Sequence, residues 1–179
     1  MVKAFFTNNM KKIINEKRKV LFGNNMNNIK RLVICPINFI FEKFESNNIS
    51  KGWWKVKYIG NTAIVKSPLA SHARDTVAYL PNLEEVIVIG FCGSFTNSMP
   101  GEIVTVKKSV FKNSTIKAKP FNEYAKKIFH LTDSFSQQET EDFLLYLKNN
   151  AIDCVDMETH HIFDEMKKFQ LKNKKCVLR

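Results

Sequence analysis

No stretch of the 179-residue chain approaches the roughly 18–20 consecutive apolar residues that a membrane-crossing helix needs. The longest apolar run, Val86 to Gly93, is less than half that length, so no membrane partner is expected. The first thirty residues are rich in Lys and Asn and lack the apolar core and small-residue cleavage site of a secretory leader. A cytoplasmic protein is expected. Cysteine is scarce: Cys35, Cys92, Cys154 and Cys176 are far apart, form no CxxC and have no His at finger spacing. That spacing excludes a zinc ribbon or finger, and a reducing compartment excludes a structural disulfide framework. No metal is expected, and the thiols are read as reduced. Arginine is scarcer still, at four of 28 basic residues. Surfaces that clamp phosphates or read bases usually use Arg, whose planar fork bonds bidentately. The formal charge of +11 therefore reads as solvated faces and a basic arm, and nucleic acid is not the expected partner.

What is present fits one ordinary globular domain, since domains cluster near ~100–150 residues. A chain of this size buries roughly 70% of its unfolded surface and needs no covalent staple. The charge is uneven. Residues 1–60 hold twelve basic and three acidic side chains, against sixteen and fourteen in residues 61–179. Residues 1–30 read as a basic helical extension. Ala4 to Leu21 has helical apolar spacing (Phe5, Met10, Ile13, Ile14, Leu21) and is closed by Gly23.

From Arg31 the pattern changes. Leu32 to Ile37 is a continuous apolar run, as in a strand buried on both faces. A short helical stretch, Phe39 to Phe44, follows. Gly52 to Ile59 alternates, turns at Gly60-Asn61 and continues as Thr62 to Lys66, which predicts a β-hairpin. Ser71 to Leu80 has helical spacing and stops before Pro81. Glu85 to Gly90 predicts a second buried strand and Glu102 to Lys108 a third. A loop is expected over 112–122, a strand over Ala125–Leu131, and a helix over Gln138–Asn149. Asp153–Met157 predicts a short strand, Glu158 to about Leu171 a helix, and Lys175–Arg179 a final strand. Strands alternating with helices, with neither repeats nor a linker in 31–179, make an α/β layer fold.

Three loops at the ends of buried strands gather small and polar residues, where open α/β sheets place their ligands. In Gly90-Phe91-Cys92-Gly93-Ser94-Phe95 two glycines allow close approach to an anion or a sugar; alone, such a pair is equally a plain tight turn. Thr132-Asp133-Ser134-Phe135-Ser136 sets an aromatic among hydroxyls. Val155-Asp156-Met157-Glu158-Thr159 places two carboxylates at a strand-to-helix switch, where capping and the helix dipole alone also favour acids.

In this order and spacing the loops resemble the nucleoside phosphorylase/nucleosidase superfamily, which includes purine nucleoside and uridine phosphorylases, methylthioadenosine/S-adenosylhomocysteine nucleosidases and AMP nucleosidases. Residues 86–95 followed by Pro100-Gly101-Glu102-Ile103-Val104 are similar to its strand, glycine turn and "Gly-Asp-Ile-Val". Val155-Asp156-Met157-Glu158 resembles its ribose-binding "Val-Glu/Asp-Met-Glu". Thr132-Asp133-Ser134-Phe135 resembles the segment that supplies a base-stacking aromatic. The similarity covers about residues 31–179 and implies a three-layer fold with a mostly buried mixed central sheet flanked by helices. It further implies that Glu158 holds the ribose hydroxyls, Met157 packs under the sugar and Phe135 stacks on the base. Ser136, Asp156, Gly90, Cys92 and Gly93 would complete the substrate pocket, and no cofactor is implied.

The departures carry information too. Val88 and Phe91 stand where phosphorylases of the family present phosphate-holding Arg and Ser. The family's "Gly-Ile-Gly" loop reads Ser67-Pro68-Leu69-Ala70, with His72 and Arg74 just beyond; Arg74 is the candidate phosphate ligand. The acid nearest to the water-orienting Glu of nucleosidases is Glu42. The leaving-group Asp would follow the strand starting at Lys175, beyond Arg179, so a C-terminally shortened relative is expected. The resemblance thus implies hydrolysis of the N-glycosidic bond of a purine (deoxy)ribonucleoside or a 5′-substituted analogue. The alternatives are a non-catalytic nucleoside- or nucleotide-binding relative and a phosphate-dependent phosphorylase. A homo-oligomer, dimer or hexamer, is implied as well. His130, His160 and His161 could complete a neighbouring subunit's pocket, although surface or core histidines are the plainer account.

Overall fold

Arg31-Leu-Val-Ile-Cys35 is the axis of the architecture. After Arg31 every residue of this strand is buried, as two covered faces require. A computed structural model of the chain describes residues 2–24, 29–80, 83–94, 101–119, 128–133, 141–170 and 173–178. The elements are α1 (Val2–Phe22), β1 (Arg31–Cys35), α2 (Asn38–Glu42), β2 (Val56–Ile59) and β3 (Thr62–Lys66). A 3-10 turn (Ala70–Arg74) runs into α3 (Asp75–Ala78), followed by β4 (Glu85–Gly90), β5 (Gly93–Ser94), β6 (Val104–Phe111), β7 (Ser114–Lys117) and β8 (Ile128–Asp133). The last described elements are α4 (Glu141–Asn149), β9 (Cys154–Asp156), α5 (Thr159–Lys168) and β10 (Asn173–Leu178).

The strands form one mixed sheet in the order β2-β3-β1-β4-β10-β6-β8-β9-β5, with β7 hairpinned onto β6. β3, β1, β4 and β10 are parallel, and so are β6, β8 and β9. β10 and β6 meet antiparallel. The α/β class and the buried mixed sheet are as expected from sequence.

Period-2 alternation divides the core into two layers. Leu32 and Ile34 join Ala63, Val65, Val86 and Val88 in a cluster completed by Phe22 of α1, Val77 of α3, and Ile162, Phe163 and Met166 of α5. Val33, Cys35, Ile64 and Ile87 point the other way, where Phe41 of α2 covers them. Each of these large side chains, fully buried, contributes roughly 1.5–3 kcal/mol.

The C-terminus of α1 is fastened rather than frayed. Its last carbonyls need partners, and the 50–58 segment supplies them. Trp53 N–H donates to Val20 O at 2.7 Å and Trp54 N–H to Leu21 O at 2.9 Å. The Tyr58 hydroxyl donates to Phe22 O at 2.7 Å. Gly23 then leaves the helix at φ +79°, the left-handed C-terminal conformation that glycine adopts without strain. Gly52 allows the approach, because a Cβ there would lie 2.6 Å from both Gly23 N and Leu21 O.

This docking corrects one expectation: the alternation from Gly52 onward is strand only over Val56–Ile59, because the N–H groups of Trp53 and Trp54 serve α1 instead of a neighbouring strand. The loop expected over 112–122 contains β7, which pairs Ser114–Lys117 with β6, and β6 itself runs on to Phe111. Ser71–Leu80 divides between a 3-10 turn and one turn of α-helix. Gly93–Ser94 forms a strand too short to leave a period in the sequence.

At the N-terminal ends of the parallel strands one carboxylate ties three of them together. Glu85 of β4 accepts from Arg31 Nε of β1 at 2.5 Å and from Lys175 Nζ of β10 at 2.7 Å. Burial opposes ionisation of Glu85, but the bonds from Lys175 and Arg31 outweigh it and hold the carboxyl below its usual value. Because the folded value is depressed, the stabilisation is complete above the ordinary carboxylate range and is lost as pH falls through the lowered value. The urea-midpoint difference between the protein and Glu85→Gln should therefore shrink as pH drops from neutrality to below about 4. A difference independent of pH would refute this role.

Candidate functional site

Asp156 and Glu158 are two residues apart, yet the fold uses them differently. Asp156 ends β9 and turns its carboxylate onto the start of α5. Its oxygens accept the Thr159 N–H at 3.3 and 3.2 Å, and the Thr159 hydroxyl donates to it as well. This is local capping by a short acid, and it fixes where α5 begins.

Glu158 reaches away from its own helix. Its Oε1 accepts the backbone N–H of Ala70 at 2.9 Å, across 88 residues of sequence. Ala70 opens the 3-10 turn at φ +52°, a left-handed conformation that costs a Cβ-bearing residue roughly 1–2 kcal/mol. Both residues are buried, Glu158 at 7% exposure. A carboxylate offers about four acceptor positions, and the Ala70 bond takes one of them.

The described ends of the three loops singled out from sequence meet at β9. Gly93 and Ser94 pair antiparallel with Val155 and Cys154, which lays the Gly90–Ser94 turn along β9. Gly90 is buried at the end of β4 and Cys92 half-buried. A Cβ on Gly93 would meet Val155 Cγ2 at 3.3 Å, a tight contact that Val155 would have to relieve by a few tenths of an ångström. On the other side of β9, Thr132 and Asp133 pair with Val155 and Asp156. Phe135 and Ser136, the expected stacking segment, lie outside the described residues. Met157 is half-buried between the two carboxylates.

The remaining candidates are Glu42 and Arg74. Glu42 ends α2, which covers the sheet face opposite α5, and Lys57 Nζ bonds its carboxylate at 3.3 Å. The same ammonium donates to Phe41 O at 3.1 Å and Phe44 O at 2.9 Å, so Lys57 caps α2 while neutralising Glu42. Arg74 is exposed at the end of the 3-10 turn.

Two features carried no legible signal. The Ala70 N–H belongs to the backbone, so no residue type announces it. The other is a buried link between β6 and α5: Ser109 Oγ and His160 Nδ1 are 2.8 Å apart. The His160 ring sits 5.5 Å from that of Phe111. His160 is thus a core histidine, which agrees with the plainer of its two sequence readings. Among the described residues no group of His, Cys, Asp or Glu is arranged to hold a metal ion, and no helix is long and apolar enough to cross a membrane.

No protein-family pattern and no curated protein matches the chain. Solved structures do. AMP nucleosidase from Bacteroides thetaiotaomicron VPI-5482 superposes with a TM-score of 0.75 at 12% identity, over 93% of this chain and 87% of that one. The chain has the fold of the nucleoside phosphorylase/nucleosidase superfamily. S-adenosylhomocysteine nucleosidase from Streptococcus pyogenes gives 0.66 at 13% identity, over 86% of this chain and 84% of that one. A futalosine hydrolase mutant from Helicobacter pylori gives 0.65 at 12%, over 84% and 87%. At these identities the shared property is the fold. Most side chains differ.

The Glu158–Ala70 bond makes a stability prediction independent of any ligand. Glu158→Ala leaves a buried N–H unpaired and should cost about 1–3 kcal/mol in urea unfolding. Glu158→Gln keeps an amide oxygen for that N–H and should lose less than about 1 kcal/mol. Equal losses in the two variants would show that the bond is not made.

Proposed function

We propose that the chain is a nucleosidase that hydrolyses the N-glycosidic bond of a purine (deoxy)ribonucleoside or a 5′-substituted analogue. One observation carries the reading: a buried carboxylate, Glu158, follows β9 where the described ends of strand-end loops meet, and among the described residues the Ala70 N–H takes one of its acceptor positions. The remaining positions suit the paired hydroxyls of a pentose. Glu158 would accept both hydroxyl protons, with Met157 packed beneath the ring. The Gly90–Gly93 turn, including Cys92, would form the wall along β9. Asp156 keeps α5, and so Glu158, in register. Phe135 would stack on the base and Ser136 would bond beside it.

Cleavage passes through an oxocarbenium-like sugar. A carboxylate held against that sugar by the fold interacts more strongly as positive charge develops, and only such differential binding lowers the barrier. Glu42 is the acid assigned to the attacking water, and Arg74 the cation assigned to a phosphate of substrate or co-substrate. No cofactor enters the scheme. A cytoplasmic homo-oligomer is the proposed form.

A second reading, nucleoside binding without turnover, draws on one specific observation: Lys57 and the end of α2 already engage Glu42. Incubation with adenosine, inosine, methylthioadenosine, S-adenosylhomocysteine and AMP, with and without phosphate, separates the readings through free base. The proposal expects base release without phosphate, reduced roughly 10²–10³-fold in Glu158→Gln, the scale of losing one group aimed at transition-state charge. Phosphate-dependent release would favour the phosphorylase, and thermal stabilisation without release the binder. Neither release nor stabilisation by any of the five would overturn the nucleoside reading.

A further inference from the structure

We infer that Cys92 and Cys154 are an oxidisable pair, which a peroxide converts into an intramolecular disulfide fastening the Gly90–Ser94 turn to β9. The geometry comes from the sheet. Ser94 lies opposite Cys154, and Gly93 opposite Val155, in an antiparallel pairing. Side chains alternate along a strand, so Cys92 and Ser94 share a face, and Cys92 sits diagonally across from Cys154 on that face. Cys154 lies in the apolar cluster that the half-buried Cys92 packs against, and its thiol lowers the pKa of Cys92. A disulfide needs Cα atoms within about 4.4–6.8 Å. The shared sheet face and the shared apolar cluster bring the two thiols to the same side of the turn.

The two cysteines also suit the two halves of the reaction. Cys92 is half-exposed at the turn, and the hydrogen bond from Cys154 lowers its pKa against the opposing effect of burial. It is the thiol a peroxide meets first. Its thiolate attacks one peroxide oxygen, the O–O bond breaks, and hydroxide leaves and takes up a proton, giving Cys92 sulfenic acid and water. The buried Cys154 sulfur then attacks the sulfenic sulfur; the S–S bond forms, and the hydroxyl departs with the Cys154 proton as a second water. Two thiols are oxidised and one peroxide is reduced. Cys35 offers a contrast within the same chain. It is fully buried, and burial pushes its thiol up to about 12, which leaves it without a thiolate at neutral pH.

The consequence for nucleosides rests on the function proposed above, because the turn that becomes tethered is the one assigned to the pocket wall. The disulfide itself does not depend on that function. The full chain is treated with hydrogen peroxide, the remaining thiols are counted, and the cross-link is mapped by peptide mass before and after dithiothreitol. The expected result is loss of two titratable thiols, a Cys92–Cys154 cross-linked peptide, and full reversal by the reductant. Cys92→Ser and, separately, Cys154→Ala should each form no intramolecular cross-link, and Cys92→Ser changes a half-exposed residue at the rim of the core. Sulfinic acid at Cys92 with no cross-link, or a cross-link to Cys35 or Cys176, would overturn the inference. Formation of the mapped disulfide with unchanged nucleoside-dependent thermal stabilisation would confirm the pair and remove its regulatory meaning. Absence of any nucleoside effect in the untreated protein would count against the proposed function and leave the chemistry of the pair standing.

Discussion

A single hydrogen bond between the Glu158 carboxylate and the Ala70 N–H holds the candidate site together. Glu158 follows β9, at one end of the strand order, while Ala70 follows β3, near the other end. The sheet must curl for them to meet, and β5 shows how. The chain leaves β4 at Gly90 and pairs almost at once with β9, so the middle of the strand order is carried back to its far edge. α5 then runs across the enclosed face with Ile162, Phe163 and Met166 in the core. Closing such a site costs the desolvation of a carboxylate, and a buried polar group must be compensated by bonds. The backbone amide of Ala70 supplies one such bond, and the proposed sugar would supply others when bound.

The same economy appears in how each acid is used. Asp156 caps α5, Glu85 ties three strands at the opposite end of the sheet, and Glu42 is bound by Lys57. Glu158 differs because its carboxylate reaches a backbone N–H 88 residues away in sequence instead of serving the start of its own helix. On the proposed function, a buried carboxylate held by a backbone N–H is suited to a polyol whose charge turns positive during reaction. The exposed Lys-rich surfaces contribute no comparable geometry.

Much of this was legible in the sequence, for identifiable reasons. The continuous apolar runs of β1 and β4 marked buried parallel strands, and Gly23 marked the end of α1. The Asp156–Glu158 motif marked a strand-to-helix switch. These are local patterns with strong periods or distinctive residues. What escaped had no local carrier. The docking of residues 50–54 onto α1 rests on backbone carbonyls and on room left by Gly52. β5 is two residues long, and β7 hides in a polar hairpin. The partition of labour between Asp156 and Glu158 is set by which way each side chain turns, and spacing does not encode that. The Ala70 N–H was invisible because a left-handed alanine looks like any other alanine in sequence.

The central claim is that Glu158 recognises a sugar diol, and thermal denaturation with matched ligands tests it most directly. A ligand that binds the native state raises the transition temperature in proportion to its affinity. Adenosine and 2′,3′-dideoxyadenosine share the base and the 5′ end and differ only in the hydroxyls a carboxylate would bind. At equal concentration, adenosine should raise the transition temperature clearly and the dideoxy analogue little or not at all. Equal shifts from the two would contradict the account, because the diol would then play no part in recognition.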